Sequence, residues 1–185
     1  MELPDEDTET LDRFSAWLYT TKYQLAGFNT EEEAHERFNA LAKLNTFADK
    51  FNIGTLMNNI IDRMWEPWTL FSKGSLPSKC LFCPRVSLVA YVYENTTLES
   101  HFRKLMVAWY AWEIGLSWYD HPDTRDALAD IGQDFAVDLA MALGQRLAFR
   151  DRTSPFRWPK EVFYVDITET TTQVDGVVMT LPKED

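Results

Sequence analysis

The residues best suited to chemistry are the two cysteines of Cys80-Leu81-Phe82-Cys83. That spacing supplies half of a structural zinc site, which takes four ligands, or the core of a dithiol redox pair. No second pair of this kind occurs, and the only histidines are His35, His101 and His121. The redox reading lacks the strand-to-helix setting that lowers a thiol pKa. The expectation is two thiols in a proline-bounded connection, with a zinc-dependent module using Cys80 and Cys83 as the alternative.

Carboxylates cluster in Asp5-Glu6-Asp7 and Glu31-Glu32-Glu33. Paired carboxylates can move protons or hold a cation, but both clusters fall where helices begin, and negative side chains there offset the positive end of the helix dipole. The loop spacing of a calcium site is missing. Ser100 precedes His101, with Arg103 close behind, yet adjacent residues at a helix start do not point at one another. No Gly-x-Ser-x-Gly elbow occurs, and the seven glycines form no phosphate loop. No catalytic residue, cofactor site or metal site is expected, and the chain reads as a non-enzyme.

Aromatic residues are what remain. Trp109, Tyr110, Trp112, Trp118 and Tyr119 are mostly core material, but Trp and Tyr also dominate interface hot spots. Trp109, Tyr110 and Trp112 span too wide an arc for all to face one core, so at least one is expected to meet a partner or the packed helices. Trp17, Tyr19, Tyr23, Trp65, Trp68, Trp109 and Trp112 are the candidate partner contacts. A second reading makes Trp109, Trp112, Trp118 and Phe135 the wall of an apolar small-molecule pocket.

The whole chain limits these choices. Its 185 residues are 45% apolar and 14% aromatic, with a formal net charge of −11. A chain of that size and composition buries a core without a disulfide or metal. Nucleic acid and anionic membranes are disfavoured as partners, because the clustered Lys and Arg they require are absent. Short apolar runs broken by charge exclude a membrane span, and the acidic start carries no signal core. A soluble cytoplasmic or nuclear protein is expected.

The elements that would position these residues are mainly helical. Leu11, Phe14, Trp17 and Leu18 recur at helical spacing over about 8–20, after Asp7 as a cap. Thr30 and Glu33 form a capping box before the stripe Ala34, Phe38, Leu41, Leu44 or Ala48 and Phe51, which ends near Asn52. Ile53, Leu56, Ile60 and Met64 define a third helix that Pro67 stops. The run from Val86 to Tyr93 is too short to settle helix against strand. Helices over 101–114 and 132–149 follow, the first capped by Ser100 or Thr96 and stopped by Gly115, with a turn at Trp118–Pro122. Lys22–Leu25 and Val162–Val165 read as short β pieces, and Asp175-Gly176 as a hairpin turn or part of a mobile tail.

Several stretches resemble the later half of a fungal BTB/POZ domain. Leu3-Pro4-Asp5-Glu6-Asp7 leading into Phe14-Ser15-Ala16-Trp17-Leu18-Tyr19-Thr20 is similar to the family's acidic lead-in and its Trp-Leu-Tyr-Thr helix end. Leu44 through Ile53, with Ala48-Asp49-Lys50-Phe51, resembles the family's Ala-Asp-Lys-Phe helix junction. Tyr91-Val92-Tyr93-Glu94-Asn95-Thr96 and the aromatic helix through Trp112 resemble the extension of many such proteins. The resemblance implies a mainly α fold with minor β. It divides into a partial BTB/POZ-like helical cluster (1–66), a linker (67–85), a helical extension (86–158) and a C-terminal segment (159–185). It also implies an adaptor or scaffold that binds another protein chain, as a homo-oligomer or with a heterologous partner, and that is linked to ubiquitin-ligase assembly. The segment that cullin-binding members use would precede Met1, which leaves cullin binding in doubt. The first three helices are expected to dock as a trio that exposes an apolar face.

Overall fold

The computed structural model describes residues 8–22, 25, 30–72, 84–114, 122–148 and 159–167. The first helix, α1 (Thr8–Thr20), lies on α2 (Glu31–Lys50) through Phe14, whose ring centre is 4.9 Å from that of Phe47. The Thr30 hydroxyl accepts from the Glu33 N–H at 3.2 Å, and the Glu33 carboxylate accepts from the Thr30 N–H at 3.1 Å. Two amides that the first turn would leave unpaired are thereby satisfied. Asn52, at φ 54°, takes the left-handed conformation that closes α2 and lets the Ile53 N–H return to the Ala48 carbonyl at 2.8 Å.

The third helix, α3 (Gly54–Ser72), departs from expectation. Pro67 does not stop it: the helix runs on through this residue to Ser72, so residues 67–72 of the expected linker are helical. Residues 73–83 lie outside the described residues. A proline inside a helix removes a hydrogen bond, at a cost of about 3 kcal/mol. Pro67 is itself buried, and Trp65 and Trp68 flank it on the core, so tertiary packing offsets the local penalty.

Val86–Asn95 forms α4, with Leu88, Val89, Val92 and Tyr93 buried along one face. Next comes α5 (His101–Ala108), capped by the Ser100 hydroxyl on the Phe102 N–H, and it continues as a π-helical turn over Trp109–Glu113. Two further helices follow, α6 (Pro122–Ile131) and α7 (Gln133–Ala148), separated by Gly132 at φ 102°. No sequence signal had marked α6. Lys160–Phe163 is a 3-10 turn rather than a strand, and no strand occurs among the described residues, so the expected minor β content is corrected there. Only Lys22 and Leu25 of the first β-like piece are described, and the hairpin at Asp175-Gly176 lies outside the described residues.

The core is one continuous cluster. Phe38, Leu41 and Leu44 of α2 meet Leu56, Ile60 and Met64 of α3, Val89 and Val92 of α4, Phe102 and Leu105 through Tyr110 of the α5 region, and Phe135 and Leu139 of α7. The expected trio does form, since α1 and α3 both pack on α2. Its apolar face is not left open, because α4 and α5 cover it.

Candidate interaction surface

Most candidate residues turn out to have structural partners. Glu31 pairs with His35 at 3.3 Å, and Glu32 pairs with Arg85 of the segment before α4 at 2.8 Å. The hydrogen bond from Arg85 holds the Glu32 carboxyl below its usual range. Cys80, Cys83 and Asp5–Asp7 lie outside the described residues. Among the described residues, no group of three His, Cys, Asp or Glu side chains could hold a metal.

Arg103, near Ser100 and His101 in sequence, closes the end of α4. Its guanidinium is buried and donates to the carbonyls of Tyr93, at 2.6 Å, and Thr96, and to the Thr96 hydroxyl at 3.0 Å. It also lies 4.4 Å above the Tyr93 ring. The Tyr93 hydroxyl donates to Asp138 of α7 at 2.8 Å, and burial together with that carboxylate pushes its pKa far up. One buried cation thus ties α4, α5 and α7 together.

The tryptophans divide by burial. Trp109 is completely buried against Phe38, with ring centres 6.2 Å apart, and Trp65 is buried against Phe163 at 5.7 Å. Both were expected as partner contacts, and both are corrected to core residues, since an enclosed ring offers no surface to another chain. Tyr110 is also wholly buried, with its hydroxyl on the Pro84 carbonyl at 3.0 Å, so the π-helical turn encloses Trp109 and Tyr110 and leaves Trp112 half-buried. Trp17, Trp68 and Trp112 are half-buried, with the Arg146 guanidinium 5.3 Å above the Trp112 ring. Tyr19 is 86% exposed, and Tyr23 lies outside the described residues.

The proposed small-molecule cavity does not open around Phe135. Tyr93 and Tyr110 fill that space edge-on, with ring centres 5.3 and 5.4 Å away, while Trp118 lies outside the described residues.

The surface that sequence reasoning missed is the outer side of α7. Ala136, Val137, Ala140, Met141, Gly144, Leu147 and Ala148 are all exposed, with Met141 at 61% and Leu147 at 86%. At 100° per residue they occupy one continuous arc without a charged side chain. Phe135 and Leu139 face the core on the other side, so α7 carries two apolar faces, separated on one flank by Asp134, Asp138 and Gln145. Ala136, Ala140, Gly144 and Ala148 recur every fourth residue, and a Cβ added at Gly144 would meet nothing within 4 Å. Phe135, Leu139, Leu143 and Leu147 also recur at near-helical spacing in the sequence, and this stripe overlaps the outer arc at Leu147.

No protein family, curated protein or solved structure matches this chain. No described helix is long and apolar enough to cross a membrane.

Proposed function

We propose that this chain is a non-catalytic protein-interaction module that receives another polypeptide on the outer face of α7. The observation that carries the reading is the charge-free arc from Ala136 to Ala148 on a helix of 16 residues, about 24 Å long. Monomeric proteins rarely leave contiguous apolar surface of this kind open, and where they do it marks interaction. Small residues at every fourth position let a second helix approach closely, so the partner surface that fits best is itself an apolar helix. The BTB/POZ-like order of motifs supports the same class of role, an adaptor or scaffold that is linked to ubiquitin-ligase assembly and works by binding. Tyr19 and Leu18, at the exposed end of α1, are a second contact point in this reading.

Gly144→Glu is the discriminating variant. It places a charge in open space and replaces the poorest helix former short of proline, so the fold should gain stability while binding is lost. Affinity purification from the source cells with the wild-type chain should recover a protein partner that the variant fails to retain. Recovery of the same partners by both, or of none by either, would sink the proposal.

A further inference from the structure

Residues 159–167 cross the N-terminal half of α3 like a bound peptide. Asn58, Asp62 and Trp65 stand at i, i+4 and i+7 of α3, on one face, with Gly54 one turn earlier. Each meets a different part of the crossing segment. The Asn58 side-chain carbonyl accepts from the Val165 N–H at 2.7 Å, and its amide donates to the Val165 carbonyl at 3.0 Å. One carboxamide therefore supplies both hydrogen bonds that a neighbouring β-strand would offer a single residue. Asp62 accepts from the Tyr164 hydroxyl and pairs with the Lys160 ammonium at 2.5 Å. The Phe163 ring is buried beside Trp65, and α5 packs against the same turn. Above Gly54 lie the Val165 and Ile167 side chains, 4.0 and 3.6 Å from where a Cβ would stand.

This is the division of labour in extended-peptide recognition: backbone hydrogen bonds hold the segment, while pockets and charges read its side chains. Nothing in the contacts depends on the segment belonging to the same chain. We infer that the α3–α5 groove is a peptide-recognition site, filled in cis by residues 160–167 and able to accept the same residues from a second copy of this chain. The occupant is argued from the seat itself, because the segment that fits its aromatic, tyrosine and lysine positions is this chain's own. Exchange of identical elements is a low-cost route to a dimer. The cis segment competes at an effective concentration of millimolar order, so exchange shows once the cis contact is weakened.

The test uses two full-length variants. Phe163→Ala weakens the segment and leaves the groove, whereas Asn58→Ala removes the clamp and leaves the segment. A fluorescein-labelled peptide of residues 159–167 should bind Phe163→Ala at least about tenfold more tightly than wild type, whose groove is filled. Adding Asn58→Ala to Phe163→Ala should cost about tenfold of that affinity, the loss of two hydrogen bonds at the low end of their worth. Sedimentation velocity on a mixture of the two single variants should show a one-to-one species absent from either alone. Circular dichroism checks the fold; if Phe163→Ala loses its helices, Val165→Pro deletes the N–H given to Asn58, keeps the aromatic anchor and serves in its place. Absence of peptide binding, or binding indifferent to Asn58, overturns the groove. Peptide binding without the mixed species overturns the second copy as occupant.

Discussion

Arg103 and Asn45 are both buried, in different polar environments. Arg103 gives its Nη2 hydrogens to the Tyr93 and Thr96 carbonyls and its Nε hydrogen to the Thr96 hydroxyl, while Nη1 lies 3.9 Å from the Asp134 carboxylate. Arg103→Met would leave the Tyr93 and Thr96 carbonyls unmet beneath the surface. The expected cost is about 3 kcal/mol, read from urea unfolding. A loss within about 0.5 kcal/mol, the usual range for surface substitutions, would show that the staple is ornamental. Asn45 is completely buried on α2, and neither atom of its amide finds a hydrogen-bond partner among the described residues. Asn45→Leu, which keeps the branch at Cγ and removes both unmet groups, should therefore stabilise the protein by about 1–2 kcal/mol, which the same unfolding curve measures. Neither environment is legible in sequence. Arg103 follows His101 and Phe102 as any surface arginine would, and Asn45 stands in an otherwise apolar stripe that only packing encloses.

At the scale of elements, local chemistry and tertiary packing divide the credit. Thr30 with Glu33 begins α2, and Asn52 ends it, as their types require. Thr30→Ala should cost about 1 kcal/mol and lower the melting temperature without altering the helix count by circular dichroism. An unchanged melting temperature would mean that docking on α3 and α4 holds the first turn without its cap. Pro67 shows the opposite balance, since a strong local stop is overruled by the burial of Trp65 and of Pro67 itself. The α2–α3 pair is further crosslinked by Arg37 to Glu66, which also receives Arg63 at 2.5 Å. The run from Val86 to Tyr93 suits strand or helix equally in isolation. It becomes a helix where α2, α5 and α6 offer it helical neighbours.

At the scale of the whole molecule, acid should loosen the fold before the carboxylates titrate. Burial, first among the causes, lowers the pKa of His35 and of His101 below the ordinary 6.5. Glu31 and Glu32 act against that shift at His35 and Arg85 acts with it; at His101, Lys104 acts with it and Asp166 against it. With folded pKa values depressed, the unfolded chain takes up protons first. Stability is complete above about pH 6.5 and is lost as pH falls through the folded values. The Asp49 carboxyl, raised by burial, works in the opposite sense but in the carboxylate range below. The urea midpoint should fall between about pH 7.5 and about pH 5.5, and fall less in the double variant His35→Gln, His101→Gln. An equal fall in both proteins would assign the effect elsewhere. The residue order alone determined that this chain is mainly helical, where α1, α2 and α7 lie, and how α2 is capped, because capping and apolar periodicity act within a few residues. Tertiary structure decided the rest. The passage of α3 through Pro67, the enclosure of Trp65 and Trp109, the bare arc of α7 and the seat of residues 159–167 on Asn58 and Asp62 all depend on which surfaces meet, and separations of up to 107 residues leave no local trace.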